Sequence, residues 1–313
     1  MKKIAVIAFG GNALLRSDDS GSIEDQAINT YNTCKYVTKL LKNFDSIIIT
    51  HGNGPQVGNI LLRNEAGFRN FNIPKMPLDI CVADSQGGIG YLIERQMKNV
   101  LQEENISKEV VTLITEVLVD TADPAFQNPT KPVGSYYTAD ESKELSDKHN
   151  WKFKEDARGR GWRRVVASPK PVEILNRKVV STLSDMGFIV IVSGGGGVPV
   201  YLDSNNKLQG VDAVIDKDSA ASLLASEIHA DELFILTDIK QVAINYRKEN
   251  QVNLGKVTLA EAKKYLADGE FEAGSMAPKV AAAINFLENG GKRTIITDAS
   301  ALDDIENGTQ IIN

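Results

Sequence analysis

Cysteine and histidine are scarce in this 313-residue chain: Cys34 and Cys81 are its only cysteines, and there are three histidines. No CxxC or Cys/His spacing accompanies them, which argues against a disulfide framework and a structural zinc site and fits a reducing cytoplasm. Positive charge is also in deficit. Lys and Arg number 35 against 41 Asp and Glu, a net charge of -6, whereas a dedicated nucleic-acid or anionic-membrane binder carries the opposite balance. A small-molecule partner is therefore expected. Apolar runs are short: Met1-Lys2-Lys3 followed by Ile4 to Phe9 imitates a signal peptide, but the run stops at Gly10-Gly11-Asn12. No stretch is long enough to span a bilayer. The common nucleotide fingerprints are missing as well. There is no Walker A sequence, and Ser193-Gly194-Gly195-Gly196-Gly197-Val198-Pro199 lacks the spaced GxGxxG that opens a helix. Rossmann hydride transfer is thereby disfavoured, and any nucleotide site must be of another kind.

What is present is an alternation. Ile4 to Phe9, Ser46 to Thr50, Val110 to Val119, Phe188 to Val192, Glu232 to Thr237 and Arg293 to Thr297 read as buried strands, with a short one at Val242 to Tyr246. Asp25 to Leu41, Gln56 to Phe68, Asp79 to Asn99, Val172 to Met186, Leu259 to Leu266 and Met276 to Leu287 read as helices. Three strands run into glycine turns, at Gly10-Gly11-Asn12, His51-Gly52-Asn53-Gly54 and Gly194 to Gly197. In an open parallel sheet ligands bind beyond the carboxyl ends of the strands, so these turns mark one working edge. From Asp120 the texture changes to prolines and charged residues, through Trp151 to Arg164, which predicts a protruding subdomain over 120–165. Its Arg158, Arg160, Arg163 and Arg164 are isolated in an acidic chain and suit a solvated or phosphate-facing hairpin. Trp151 and Trp162 are expected to pack the subdomain, Cys81 to be a buried thiol and His51 to order its loop.

Three lysines occupy structured contexts. Lys131 lies between prolines in Asn128-Pro129-Thr130-Lys131-Pro132, which limits the entropy lost on ordering. Lys217 follows Asp216, an expected N-cap, in the first turn of a helix continued by Ala220, Leu223, Leu224 and Ile228. A cation there opposes the helix dipole unless an anion lies between them, and Asp218 could hold it. Solvation beside acidic neighbours is the other reading of the same stretch. Lys279 closes Gly274-Ser275-Met276-Ala277-Pro278-Lys279, again at a helix start. Phosphoryl transfer asks for such cations and backbone N–H groups around a charge spread over oxygens, and needs no Ser/His/Asp or Cys/His arrangement.

Taken together, Gly10-Gly11-Asn12-Ala13-Leu14, His51 through Gly58, Asn128 through Pro132, Trp162-Arg163-Arg164-Val165-Val166 with Ser168-Pro169, Ala213 through Asp218, and Gly274-Ser275-Met276 with Pro278-Lys279 resemble the carbamate kinases of the amino-acid kinase superfamily. The resemblance runs in order from the first strand to the last. It implies one domain over 1–313, a three-layer α/β/α sandwich with a mainly parallel sheet and a lid at 120–165, assembled as a homodimer. It also implies reversible phosphoryl transfer between ATP and carbamate, giving ADP and carbamoyl phosphate, run toward ATP in arginine catabolism. By position, Lys131, Lys217 and Lys279 would neutralise the moving group and Asp218 would orient them. Gly10, Gly11, Asn12, Gly52, Asn53, Gly54, Gly194 and Gly195 would cradle phosphoryl and carbamate. Asp216, Lys217, Thr237, Asp238, Tyr246, Ser275, Met276, Ala277 and Lys279 would contact the nucleotide, with Mg2+ carried by the nucleotide and not by protein ligands. Arg158 looks like an extra lid residue, Asp84 and Glu116 are more acidic than the resemblance leads one to expect, and the tail Glu306 to Thr309 looks shortened. Two other readings stay open on the sequence: a non-catalytic nucleotide or metabolite sensor, and a kinase of the same fold acting on an acyl carboxylate or a nucleoside monophosphate.

Overall fold

The structure is a computed structural model that describes residues 2–15, 19–156, 159–302 and 304–313, with only the backbone of Asn12 and Ile305. Arg158 lies outside the described residues. The main sheet has eight strands in the spatial order Lys256–Thr258, Thr309–Ile312, Arg293–Asp298, Glu232–Thr237, Ile4–Phe9, Ser46–His51, Ile189–Ile191 and Val110–Thr112. From Arg293–Asp298 onward all neighbours are parallel; Thr309–Ile312 runs antiparallel to Arg293–Asp298 and carries Lys256–Thr258 with it.

The strands are continuous apolar runs because both faces are covered. Alternation along each strand assigns its residues to two separate cores. Val6, Ala8, Ile48, Val190 and Ile235 meet helices Lys217–Glu227 and Met276–Glu288 on one side. Ala5, Ile7, Phe9, Ile49 and Phe234 meet helices Ile23–Lys39 and Leu78–Glu103 on the other. The result is a three-layer α/β/α sandwich. Each fully buried Ile or Phe contributes about 1.5–3 kcal/mol relative to exposure, so the sheet is the rigid frame from which the loops project. Cys34 and Cys81 are both buried free thiols.

Several elements differ from the sequence expectation. Val110 to Val119 is not one strand: Val110–Thr112 ends the main sheet, and Glu116–Val119 joins a second, four-stranded sheet between Val198–Leu202 and Pro171–Ile174. A β-rich run gives no local signal of passing from one sheet to another. Val172 to Met186 divides likewise into the strand Pro171–Ile174 and the helix Arg177–Asp185. The strand expected at Val242 to Tyr246 shrinks to Ala243–Ile244, since Asn245 takes a left-handed φ of 52° that ends the extension.

Within 120–165, Lys131–Tyr137, Trp162–Val166 and Lys152–Glu155 form an antiparallel sheet in that order. The helix Ala139–His149 beside it starts with a capping box between Thr138 and Glu141. Trp151 packs under the Arg164 guanidinium, 4.0 Å from its ring, as expected of a packing residue. Val133 and Val166 root this sheet in a third, smaller core with Val57, Leu78 and Val82.

Candidate active site

The parallel strands deliver their carboxyl ends to one edge, where three helices also begin. Pro55 stands in the first turn of Gly54–Phe71, Asp216 caps Lys217–Glu227, and Ser275 precedes Met276–Glu288. Helix starts leave backbone N–H groups without intrahelical partners and carry partial positive charge, so the edge favours an anion before any side chain is counted.

The side chains sharpen this. Asp218 is 3% exposed and receives both central lysines: Lys217 Nζ lies 2.5 Å from its Oδ1 and Lys279 Nζ 2.8 Å from its Oδ2. Burial acts to raise the Asp218 pKa, but the two ammonium groups outweigh it and hold the carboxyl down at about 2. The acid is therefore a fixed anion between two cations that have donors to spare. Asp216 Oδ1 accepts the Asp218 and Ser219 N–H groups as the helix cap, and its Oδ2 stands 3.6 Å from Lys131 Nζ. Thus the fold brings all three lysines to one place: two tied to Asp218, and the half-exposed third reaching over from the 131–137 strand to Asp216.

Glycine allows this approach where a side chain would collide. A Cβ at Gly52 would sit 3.2 Å from Lys217 Cδ, and one at Gly195, whose φ is +65°, would sit 2.1 Å from the Asn53 amide nitrogen. Asn53 in turn donates from Nδ2 to Ser85 Oγ at 2.8 Å.

Three adjoining hollows follow the edge. The first, about 320 Å3, is bordered by Gly52, Asn53, Gly54, Lys131 and Gly195. It shares Gly11, Asp216 and Lys217 with the second, about 350 Å3, where Gly10, Thr237, Asp238, Ser275 and Lys279 lie. The third, about 790 Å3, continues from Asp238 and Ser275 to Tyr246 and Met276. Of the residues expected at the site, Gly194 is buried behind His51 and Gln86, Ala277 packs on the core, and the Asn12 side chain lies outside the described residues. Sequence reasoning named no site role for Leu15, Val57 and Ile215 in the wall of the first hollow; Val57 and Ile215 are the ones with a signal, since they stand inside the motifs His51 through Gly58 and Ala213 through Asp218. Among the described residues no group of three or more His, Cys, Asp or Glu side chains is arranged to hold a metal.

His51 is 1% exposed beside this edge; burial lowers its pKa to about 4, and the Lys217 charge adds to the effect. It is neutral in the folded chain at neutral pH. An unfolded histidine titrates near 6.5, so the folded state loses stability as pH falls from about 6.5 toward 4. At pH 5 the expected loss from this one residue is about 2 kcal/mol relative to pH 8. Urea unfolding of the wild type and His51→Asn at both pH values measures it: the variant should lack that share of the acid sensitivity.

Comparison with known proteins agrees with this architecture. The chain matches the amino acid kinase family over residues 3–298. It is 48% identical over 314 residues to a carbamate kinase of Pyrococcus horikoshii, covering 99% of each chain. It is 45% identical to the carbamate kinase-like protein YahI of Escherichia coli, covering 100% of this chain and 99% of that one. The solved carbamate kinase of Giardia lamblia bound to AMP-PNP superposes with a TM-score of 0.94 at 45% identity, over 99% of this chain and 98% of that chain. With this likeness spanning the whole length, the chain belongs to the carbamate kinase branch of the amino acid kinase family.

Proposed function

We propose that the chain transfers a phosphoryl group reversibly between ATP and carbamate at the three-lysine edge, and that it runs toward ATP in the breakdown of arginine. The observation that carries this reading is the convergence of Lys217 and Lys279 on the buried Asp218, with Lys131 at the adjoining Asp216. In the direction of ATP synthesis, a terminal phosphate oxygen of ADP attacks the phosphorus of carbamoyl phosphate. The bond from phosphorus to the carbamoyl oxygen breaks, and carbamate leaves with its electron pair. No proton has to move, which suits a site whose buried acid is fixed as an anion and whose histidine is neutral.

In this reading Lys217 and Lys279 bind the phosphoryl oxygens on which charge accumulates, and Lys131 meets them from the lid formed by residues 120–165. Asp218 orients the first two lysines without touching substrate. The turns at Gly10, Gly11 and Asn12, at Gly52 to Gly54 and at Gly195 let backbone N–H groups come close to the acyl phosphate, while Gly194 lies buried behind that wall. The second and third hollows take the nucleotide, between Asp216, Thr237, Asp238, Ser275 and Met276 and the exposed ring of Tyr246. Mg2+ travels on the nucleotide phosphates and supplies further charge neutralisation there.

A homodimer is part of the same reading, supported by apolar side chains left outside, among them Phe71 at 76% and Tyr91 at 62% exposure. A cytoplasmic setting is supported by the two buried, unpaired cysteines. No described helix is long and apolar enough to cross a membrane, and the acidic balance speaks against nucleic acid as a partner.

A coupled assay tests the reaction. Purified protein given carbamoyl phosphate and Mg-ADP should release ATP, and acetyl phosphate in its place serves as the comparison for a different phosphoryl donor, whose acyl carboxylate is the acceptor in the reverse direction. Absence of ATP from pure, folded protein would overturn the proposal, and faster turnover of acetyl phosphate would move the assignment to an acyl carboxylate. Loss of arginine-dependent ATP formation on deleting the coding sequence is the expected cellular counterpart.

A further inference from the structure

The glycine turn after strand Ile189–Ile191 poses a mechanical problem. Gly195, Gly196 and Gly197 all have positive φ, and Ser193 before them sits in the left-handed region at φ 51°, which a residue with a side chain holds only when its surroundings impose it. Four successive glycines bring no side chains of their own to hold the turn. Yet Gly195 borders the first hollow, and its backbone lies so close to Asn53 that any added atom would overlap the amide. Something outside the turn must fix it.

One residue holds both ends. Thr115, fully buried between strands Val110–Thr112 and Glu116–Val119, accepts the Ser193 N–H on its Oγ1 at 3.0 Å. Its carbonyl accepts the Val198 N–H at 2.8 Å, at the far side of the turn. Thr115 is itself locked by Gln86, 1% exposed in helix Leu78–Glu103: the Gln86 Oε1 accepts the Thr115 N–H at 2.8 Å, and its Nε2 donates to the Thr115 carbonyl at 3.2 Å. The Thr115 hydroxyl donates onward to the Leu113 carbonyl at 3.1 Å. Each polar atom of the Thr115–Gln86 pair is used, and neither residue borders the three hollows.

We propose that Thr115, locked by Gln86, is a positioning residue for phosphoryl transfer: it clamps the two ends of the glycine turn so that the turn presents Gly195 to the acyl phosphate in one geometry. This rests on the reading of the turn as a wall of the acceptor hollow. Misplacing such a wall by a fraction of an ångström lowers the rate of a positioned reaction while leaving the nucleotide end intact. Thr115→Val keeps the branched shape and removes only the hydroxyl, whereas Thr115→Ser keeps the hydroxyl and removes only the methyl.

The experiment joins amide hydrogen exchange over 193–198 with steady-state kinetics of ATP formation. In T115V the Ser193 amide should exchange about tenfold faster, kcat should fall about tenfold, and KM for ADP should stay within about twofold of wild type. T115S should stay close to wild type in all three. Gln86→Met, which removes both amide bonds but not the hydroxyl, should loosen Val198 and lower kcat in the same direction, and it decides the matter if T115V does not fold. Wild-type exchange in T115V and Q86M overturns the clamp. Faster exchange with unchanged kcat overturns the positioning role, and damage in T115S equal to that in T115V assigns the effect to packing and overturns it too. A wild-type protein that makes no ATP would refute the proposed reaction alone, because the exchange comparison still decides whether Thr115 holds the turn.

Discussion

Asp218→Asn is expected to lower kcat for ATP formation by roughly a thousandfold or more while leaving ADP binding as tight as in the wild type, or tighter. The carboxylate is the shared counter-ion of Lys217 and Lys279 and lies almost wholly out of solvent. An amide of the same shape keeps the space filled but can accept at one oxygen only, so one lysine loses its anchor and both lose the compensating charge. Breaking a buried pair from one side typically costs about 3–5 kcal/mol, because the remaining charge is left uncompensated. Here two charges are left, at an edge that already repels cations through the helix dipole. The ammonium groups can recover part of that loss by taking phosphate oxygens as substitutes. D218N should therefore melt well below the wild type alone and regain more on adding ADP than the wild type gains. Thermal melts with and without ADP, beside the kinetic assay, read this out. A variant that turns over within tenfold of wild type, or that ADP fails to rescue, would show that the acid does not organise the lysines.

The second large effect is expected at Lys131, and its signature is the opposite in stability. This lysine is half exposed, and its 3.6 Å approach to Asp216 is a surface pair worth about 0–1 kcal/mol. Lys131→Ala should melt within a degree or two of wild type. Its kcat should nevertheless fall roughly 100- to 1000-fold, the range for removing one group that stabilises transition-state charge, with KM for ADP little changed. Lys131→Arg should restore only part of the rate, since a planar fork replaces a point charge. A rise in KM with kcat retained would reassign Lys131 to ground-state binding. The weakness of its resting pair serves this role: a lysine held tightly by Asp216 could not leave it for a phosphoryl group.

The contrast between these two lysine environments shows how much was readable before the fold was known. Strands such as Ile4–Phe9 and Glu232–Thr237 were legible because strands buried on both faces are apolar throughout, and that property is local. So were the glycine turns that close them, and with them the sheet edge at which three helices begin. The Asp216 cap was readable from its place before a helical apolar stripe, and the structure has it accepting two N–H groups. By contrast, the passage of 110–119 between two sheets left no trace, because both halves are equally β-rich. Thr115 and Gln86 were invisible for a related reason. Their part comes from hydrogen bonds to residues remote in the chain, and neither residue type nor spacing signals such partners.

The sequence by itself determined the alternating architecture, the edge on which glycines and helix starts gather, and, through ordered motifs, the family. The first two follow from short-range rules, namely the period of apolar residues, the restriction of φ, and capping, whereas the family follows from the resemblance of the motifs to known kinases. Only the tertiary structure decided that Lys217 and Lys279 share one carboxylate, that Lys131 stands off at another, and that a buried threonine pins the glycine turn. Electrostatic and hydrogen-bonded contacts act over a few ångströms, and residues distant along the chain come within that range only when the packed sheet and helices have placed them there.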